Sequence, residues 1–139
     1  MRLSIAEILA KAGKEKKAAD KVAILQENDS VPLRTILQYA YDPSIEFLVP
    51  DSEPPYKPSE SFEGHGMLYS EARRLKIFVR GGGYDQLNQY RREVLFVEML
   101  ESVHADDAKV LVAMITERKF KGITDKTVKA AFPELINEI

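Results

Sequence analysis

The sequence predicts an all-α protein, a single helical domain over 1–139 built from about seven short helices with one long Pro-rich ordered loop. Three observations predict it. Apolar residues recur at helical spacing in successive segments, no segment sustains period-two alternation, and the breaks between segments carry caps, glycines and prolines. An apolar content of 45% is enough for a true core.

Each element has its own warrant. Ser4-x-x-Glu7 has the capping-box spacing and opens a helix over about 4–12, which Gly13 is expected to end. A second helix is expected over about 14–28, with Ala18, Val22 and Leu25 on one face. Asp29 or Ser30 caps a third, about 31–41, where Leu33, Ile36, Leu37, Ala40 and Tyr41 form a buried stripe. Five prolines (Pro43, Pro50, Pro54, Pro55, Pro58) with Gly64 and Gly66 preclude helix over about 42–67. Phe47, Leu48, Val49 and Tyr56 are apolar enough to strap this loop onto the helices. A fourth helix is expected over about 68–80 with Leu68, Ala72, Leu75 and Val79 inward, ended by Gly81-Gly82-Gly83. The fifth covers about 87–103 (Phe96, Met99, Leu100, Val103) and the sixth about 105–117 (Ala108, Leu111, Val112, Ile115). The seventh, about 125–132, is capped by Thr124 and closed by Phe132-Pro133.

Composition excludes several functions. Twenty Lys and Arg face twenty-two Asp and Glu, a net charge of −2, which argues against binding nucleic acid by bulk charge. There is no cysteine, so disulfides and cysteine-based zinc or redox chemistry are excluded. The N-terminal apolar run is too short for a signal peptide and no stretch is long enough to span a bilayer, so a cytoplasmic protein without membrane contact is expected. The charges are nonetheless blocked: residues 42–71 carry −6, residues 72–92 carry +5 and residues 93–108 carry −5. Such blocks make opposed faces or pair with one another.

The chemistry concentrates near the end of the chain. Arg118, Lys119 and Lys121 form a basic turn after an apolar helix; Gly122 and the helix start at Thr124 follow, with Lys126 in the next turn. Cations, a glycine and a helix N-terminus together suit a phosphate. An ordinary helix-turn-helix corner has the same look. Arg73, Arg74, Lys76, Arg80, Arg91 and Arg92 flank the triple glycine, and with the basic turn would make one cationic face; a solvated surface paired internally, as Glu71 with Arg74, is the alternative. Gly81-Gly82-Gly83 lacks P-loop spacing. His65 and His104 are too far apart in sequence for a metal-ligand motif; His65 is expected exposed in the loop and His104 is expected to cap a helix. Asp106-Asp107 opens a helix and favours its dipole. No nucleophile–base arrangement stands out. No enzyme activity, cofactor, metal or small-molecule substrate is expected.

SIAEILAKAGKEKKAADKVAILQEND and VPLRTILQYAYDPSIEFLV resemble the opening of the helical N-terminal DNA-binding domain of ATP-dependent DNA ligases of the T4-phage type. REVLFVEMLESV with DDAKVLVAMITERKFKGITDKTVKAAFPEL resembles its close. The chain is also similar to small proteins of T4-like marine phages. The resemblance implies contact with the backbone of duplex DNA through Arg118, Lys119, Lys121, Gly122, Thr124 and Lys126. Arg91, Arg92, Arg74 and Arg80 extend this candidate surface. The K-x-D-G adenylation motif is missing, so ligation by this chain alone is not expected. The expectation is a non-enzymatic DNA-binding accessory module in the cytoplasm of an infected host cell. The alternative is an adaptor or inhibitor of a phage or host protein on the same scaffold, using the acidic 42–71 region.

Overall fold

Ser4 opens the first helix as its spacing predicts. In a computed structural model of the protein, which describes residues 2–60 and 66–136, its hydroxyl accepts from the Glu7 N–H at 3.1 Å while the Ser4 N–H donates to the Glu7 carboxylate at 2.9 Å. This reciprocal box satisfies two otherwise orphan donors. The helix, α1, spans Ile5–Lys14 and buries Ile5, Ile8, Leu9 and Ala12. Gly13 lies inside it and does not end it.

α2 spans Ala18–Glu27, starting later than predicted because residues 15–17 make the turn. Its buried residues are Ile24 and Leu25; Ala18 is exposed and Val22 half-buried, so the predicted stripe is rotated. α3, Val31–Tyr41, matches the expectation, with Ser30 as the cap and Leu33, Ile36, Leu37 and Ala40 buried. Residues 42–60 contain no helix. Val49 is buried and Phe47, Leu48 and Tyr56 are half-buried. Gly64 and His65 lie outside the described residues.

The predicted fourth helix is two elements. α4 is only Met67–Glu71, and the chain then tightens into a 3-10 helix over Ala72–Phe78. The cause is visible in the sequence: Ala72, Leu75 and Phe78 recur every third residue and all are buried. A 3-10 helix places i and i+3 on one edge, so it sets all three inward. Val79, the last residue of the predicted stripe, is buried but extended, and forms an isolated antiparallel bridge with Phe47.

α5 (Gln89–Ser102), α6 (Ala105–Thr116) and α7 (Asp125–Ala131) follow close to their predicted bounds. His104 caps α6, its Nδ1 accepting from the Asp106 N–H at 3.1 Å. Asp107 does more than favour its own helix. It is buried, and its Oδ1 accepts from the Ala6 N–H at 2.9 Å, tying α6 to the first turn of α1. Among the described residues the fold is seven α-helices and one 3-10 helix, and none is long and apolar enough to cross a membrane.

The helices surround one apolar core. α1 packs on α2 and α6, α2 on α7, α3 on α6 and the 3-10 helix, and α5 on α6. Leu25, Leu33, Leu37, Leu100, Leu111 and Met114 are almost wholly enclosed, and Phe78 meets Phe96 edge to face with ring centres 5.2 Å apart. Burying one such side chain contributes about 1.5–3 kcal/mol. This packing brings two turns that lie about a hundred residues apart in sequence to the same end of the molecule.

Candidate nucleic-acid interface

The last turn of α1 and the α6–α7 turn meet through Gly13 and Gly122. A Cβ on Gly122 would lie 2.2 Å from the Gly13 carbonyl oxygen, and one on Gly13 would lie 2.3 Å from the Lys121 oxygen. Gly122 also has φ +77°, a left-handed conformation that side chains disfavour. Glycine is required at both positions for the two backbones to touch. Lys21 closes the junction from α2, its ammonium donating to the carbonyls of Gly122 and Gly13.

Tyr41 sets the second turn from inside. Its hydroxyl accepts from the Phe120 N–H at 2.8 Å and donates to the Ile123 carbonyl at 2.5 Å, while its ring packs edge-on against Phe120. Burial pushes the phenol's pKa up, so it stays a protonated donor at neutral pH. The Ile123 N–H closes the turn onto the Phe120 carbonyl at 3.0 Å. Thr124 caps α7 by accepting from the Thr127 N–H.

Between the two turns runs an open groove of about 830 Å³. Lys16 and Lys21 line one side, and Lys119 and Lys121 the other, with Glu117 as the acid among the lining residues. Lys16, Lys119 and Lys121 are exposed, whereas Lys21 is half-buried by its carbonyl contacts.

The predicted site residues divide. Lys119, Lys121, Gly122 and Thr124 line the groove, and Lys126 is exposed on the adjoining helix. The backbone at Gly122 is approached closely by that of Gly13. Arg118 must be corrected. Its guanidinium points inward and donates to the carbonyls of Ala40 (3.0 Å), Ile45 (3.1 Å) and Asp42 (2.7 Å), stacked over the Phe47 ring. Burial lowers its pKa and Asp42 opposes that shift. Arg118 is a structural clamp holding the start of the strap. Arg92 is corrected likewise: it is buried and donates to the Ile77 carbonyl, the Gln89 side chain and the Tyr84 carbonyl.

The remaining arginines do not join the groove. Arg80 pairs with Glu46 at 2.7 Å, and Arg74 pairs with Glu71 at 3.3 Å in a separate cleft. Arg91 is exposed on the first turn of α5. Of the two clusters, only Lys119 and Lys121 among the expected cations line this groove. Sequence reasoning missed Lys16 and Lys21. The signal for Lys16 was present, because KAGKEKK sets a glycine among lysines just as RKFKG does; Lys21 lies beyond that segment. Reading Gly13 as a helix stop concealed the parallel. Among the described residues, no group of three His, Asp or Glu side chains is placed to hold a metal ion.

The fold and this groove define an all-α protein with lysines gathered at the junction of two helical turns. Residues 8–121 match DUF6433, a family of unknown function, and the chain belongs to that family. No curated protein and no solved structure matches it.

Proposed function

We propose that this protein is a non-enzymatic nucleic-acid-binding module that holds duplex DNA by its phosphate backbone in the lysine groove. The observation that carries the reading is the convergence of Lys16, Lys21, Lys119 and Lys121 from two distant stretches of the chain onto one open groove. The positive charge is local: residues 11–21 carry +3 and residues 117–126 carry +2 in a chain of net −2. Lysines act on phosphate as point charges and release its counterions, with no need of base contacts. The resemblance to the ligase DNA-binding domain supports the same reading, because its closing basic turn is one wall of the groove. On this reading the protein is an accessory to a phage's DNA metabolism, acting in the cytoplasm of the infected cell and supplying contact and not catalysis.

Titration of a labelled duplex across a salt series tests it. Lys21 is held by carbonyls, so Lys16, Lys119 and Lys121 are the expected phosphate partners, giving a log–log salt slope of about −3. Lys119→Glu with Lys121→Glu should flatten the slope by about two units and leave sequence preference unchanged. Wild-type affinity no tighter than roughly 10⁻⁴ M at physiological salt would overturn the proposal.

A further inference from the structure

A second concavity lies between the Pro-rich strap and α5, with a volume of about 590 Å³. Its α5 wall is Tyr90, Glu93, Val94, Val97, Glu98 and Glu101. These positions follow i, i+3, i+4, i+7, i+8 and i+11, one face of the helix over about 16 Å. The core stripe of α5 comprises Arg92, Phe96, Met99 and Leu100, of which Phe96 also reaches the concavity. α5 therefore presents a second, partly apolar stripe to this concavity, with Val94 and Val97 half-buried and Tyr90 78% exposed.

The opposite wall is Val49, Pro50, Pro54 and Pro55 with Glu53 at its rim. Four glutamates thus surround an apolar floor, and no Lys or Arg lines it. Glu101 also holds the strap in place, accepting from the Lys57 N–H at 2.7 Å, and Gln89 donates to the Leu48 carbonyl at 2.8 Å. The groove is thereby built by hydrogen bonds that do not need an occupant.

We infer that this groove docks an amphipathic helix of a partner protein whose apolar face is flanked by lysines and arginines. The rim charge selects the flanks, and the valines with Tyr90 take the apolar side chains. The prolines argue for a helix over an extended strand. They have no N–H, so the strap offers a poor edge for strand addition, whereas a groove along one helix face suits side chains at i, i+3 and i+4. A second copy of this chain is a poor occupant. Its other large exposed apolar side chains among the described residues, Val31, Met67 and Tyr84, belong to α3, α4 and the loop before α5 and do not form a helix stripe. The site is separate from the lysine groove and does not depend on DNA binding.

The test uses the full chain and a labelled synthetic helical peptide of about 14 residues, leucine at i, i+3, i+4 and i+7 and lysine elsewhere, read by fluorescence anisotropy. A matched peptide with glutamate for lysine is the control. The lysine peptide should bind, and the glutamate peptide should bind at least about tenfold more weakly. Val97→Asp and Glu98→Lys should each weaken the lysine peptide by about tenfold, with amide shift changes confined to 49–55 and 90–101. Glu98 is exposed, so its variant carries the test should Val97→Asp disturb folding. Lys119→Glu with Lys121→Glu should leave peptide binding unchanged. Three results would each overturn the inference: no binding at about 1 mM peptide, binding indifferent to both groove variants, or a wild-type dimer that Val97→Asp dissolves, which would make a second copy the occupant.

Discussion

The lysine groove and the strap–α5 groove are both concave, and they are built from opposite materials. The first is framed by backbone: two glycines in contact, a tyrosine hydroxyl inside a tight turn, and lysines held outward. The second is framed by side chains, valines and prolines below and glutamates above. The overall charge of −2 describes neither. A near-neutral sum here hides two local charge clusters of opposite sign. The cations also divide by type. Arg118 and Arg92 turn inward because a guanidinium fork can satisfy three acceptors at once, while Lys16, Lys119 and Lys121 stay in water.

The largest expected effect breaks the first region only. Gly122→Val sets a side chain against the Gly13 carbonyl and forces it into positive φ. A cost of roughly 3–5 kcal/mol follows from the combined clash and strain. Chemical denaturation measures it directly. The folded fraction should lose DNA affinity and keep peptide binding. A stability change under about 1 kcal/mol would mean that the two turns do not touch as described.

Next comes Arg118→Ala. It strands the carbonyls of Ala40, Asp42 and Ile45 and should cost about 2–4 kcal/mol. Its DNA salt slope should stay at the wild-type value, because the guanidinium never faces the groove. A slope reduced by about one unit would restore Arg118 to the phosphate contacts and blur the division between the two kinds of cation. Arg118→Lys should rescue little, since an ammonium cannot reproduce the fork. Tyr41→Phe is milder. Losing the bonds to Phe120 and Ile123 should cost about 1–2 kcal/mol. Amide exchange should quicken at Phe120 and remain unchanged in α5.

These sites were not equally legible in the sequence. The helices were, because apolar spacing and caps are local signals: the Ser4–Glu7 box, the Ser30 cap and the stripes of α3 and α5 all stand where spacing put them. The fourth helix was read as one α-helix because a spacing of three and a spacing of 3.6 differ little over seven residues; the stripe Leu68, Ala72, Leu75 and Val79 left out Phe78, which the 3-10 helix buries. For the groove, the lysines of the second turn were read as a site, while Lys16 and Lys21 were not. Their convergence depends on α1 meeting the α6–α7 turn, a contact that no local pattern encodes. The arginines misled for a related reason. Sequence shows a charge but not its direction, and carbonyls left open at the end of α3 turned Arg118 inward.

The smallest effect concerns how the strap wall is held. Leu48 donates to the Phe78 carbonyl at 2.7 Å and Arg80 to the Glu46 carbonyl at 2.9 Å, and the side chains of Glu46 and Arg80 pair over this bridge. Arg80 holds the Glu46 carboxyl below its ordinary range through a hydrogen bond and its charge. A carboxyl with a lowered folded pKa contributes stability that is fully present above its unfolded value and disappears as pH falls through the folded one. Both partners are exposed, so the contribution is small and screened by salt, and the backbone bridge does most of the holding. Acidification should therefore quicken amide exchange at Leu48 and Arg80 only slightly, with a midpoint below that of a free glutamate. It should leave Phe120 and Ile123 untouched, since among the described residues no carboxylate pairs with a lysine across the two turns of the lysine corner. Glu46→Gln should remove the pH response at Leu48 without releasing the strap. If the strap instead detached in that variant, losing peptide affinity along with amide protection, the ion pair and not the backbone bridge would be what holds the groove's wall.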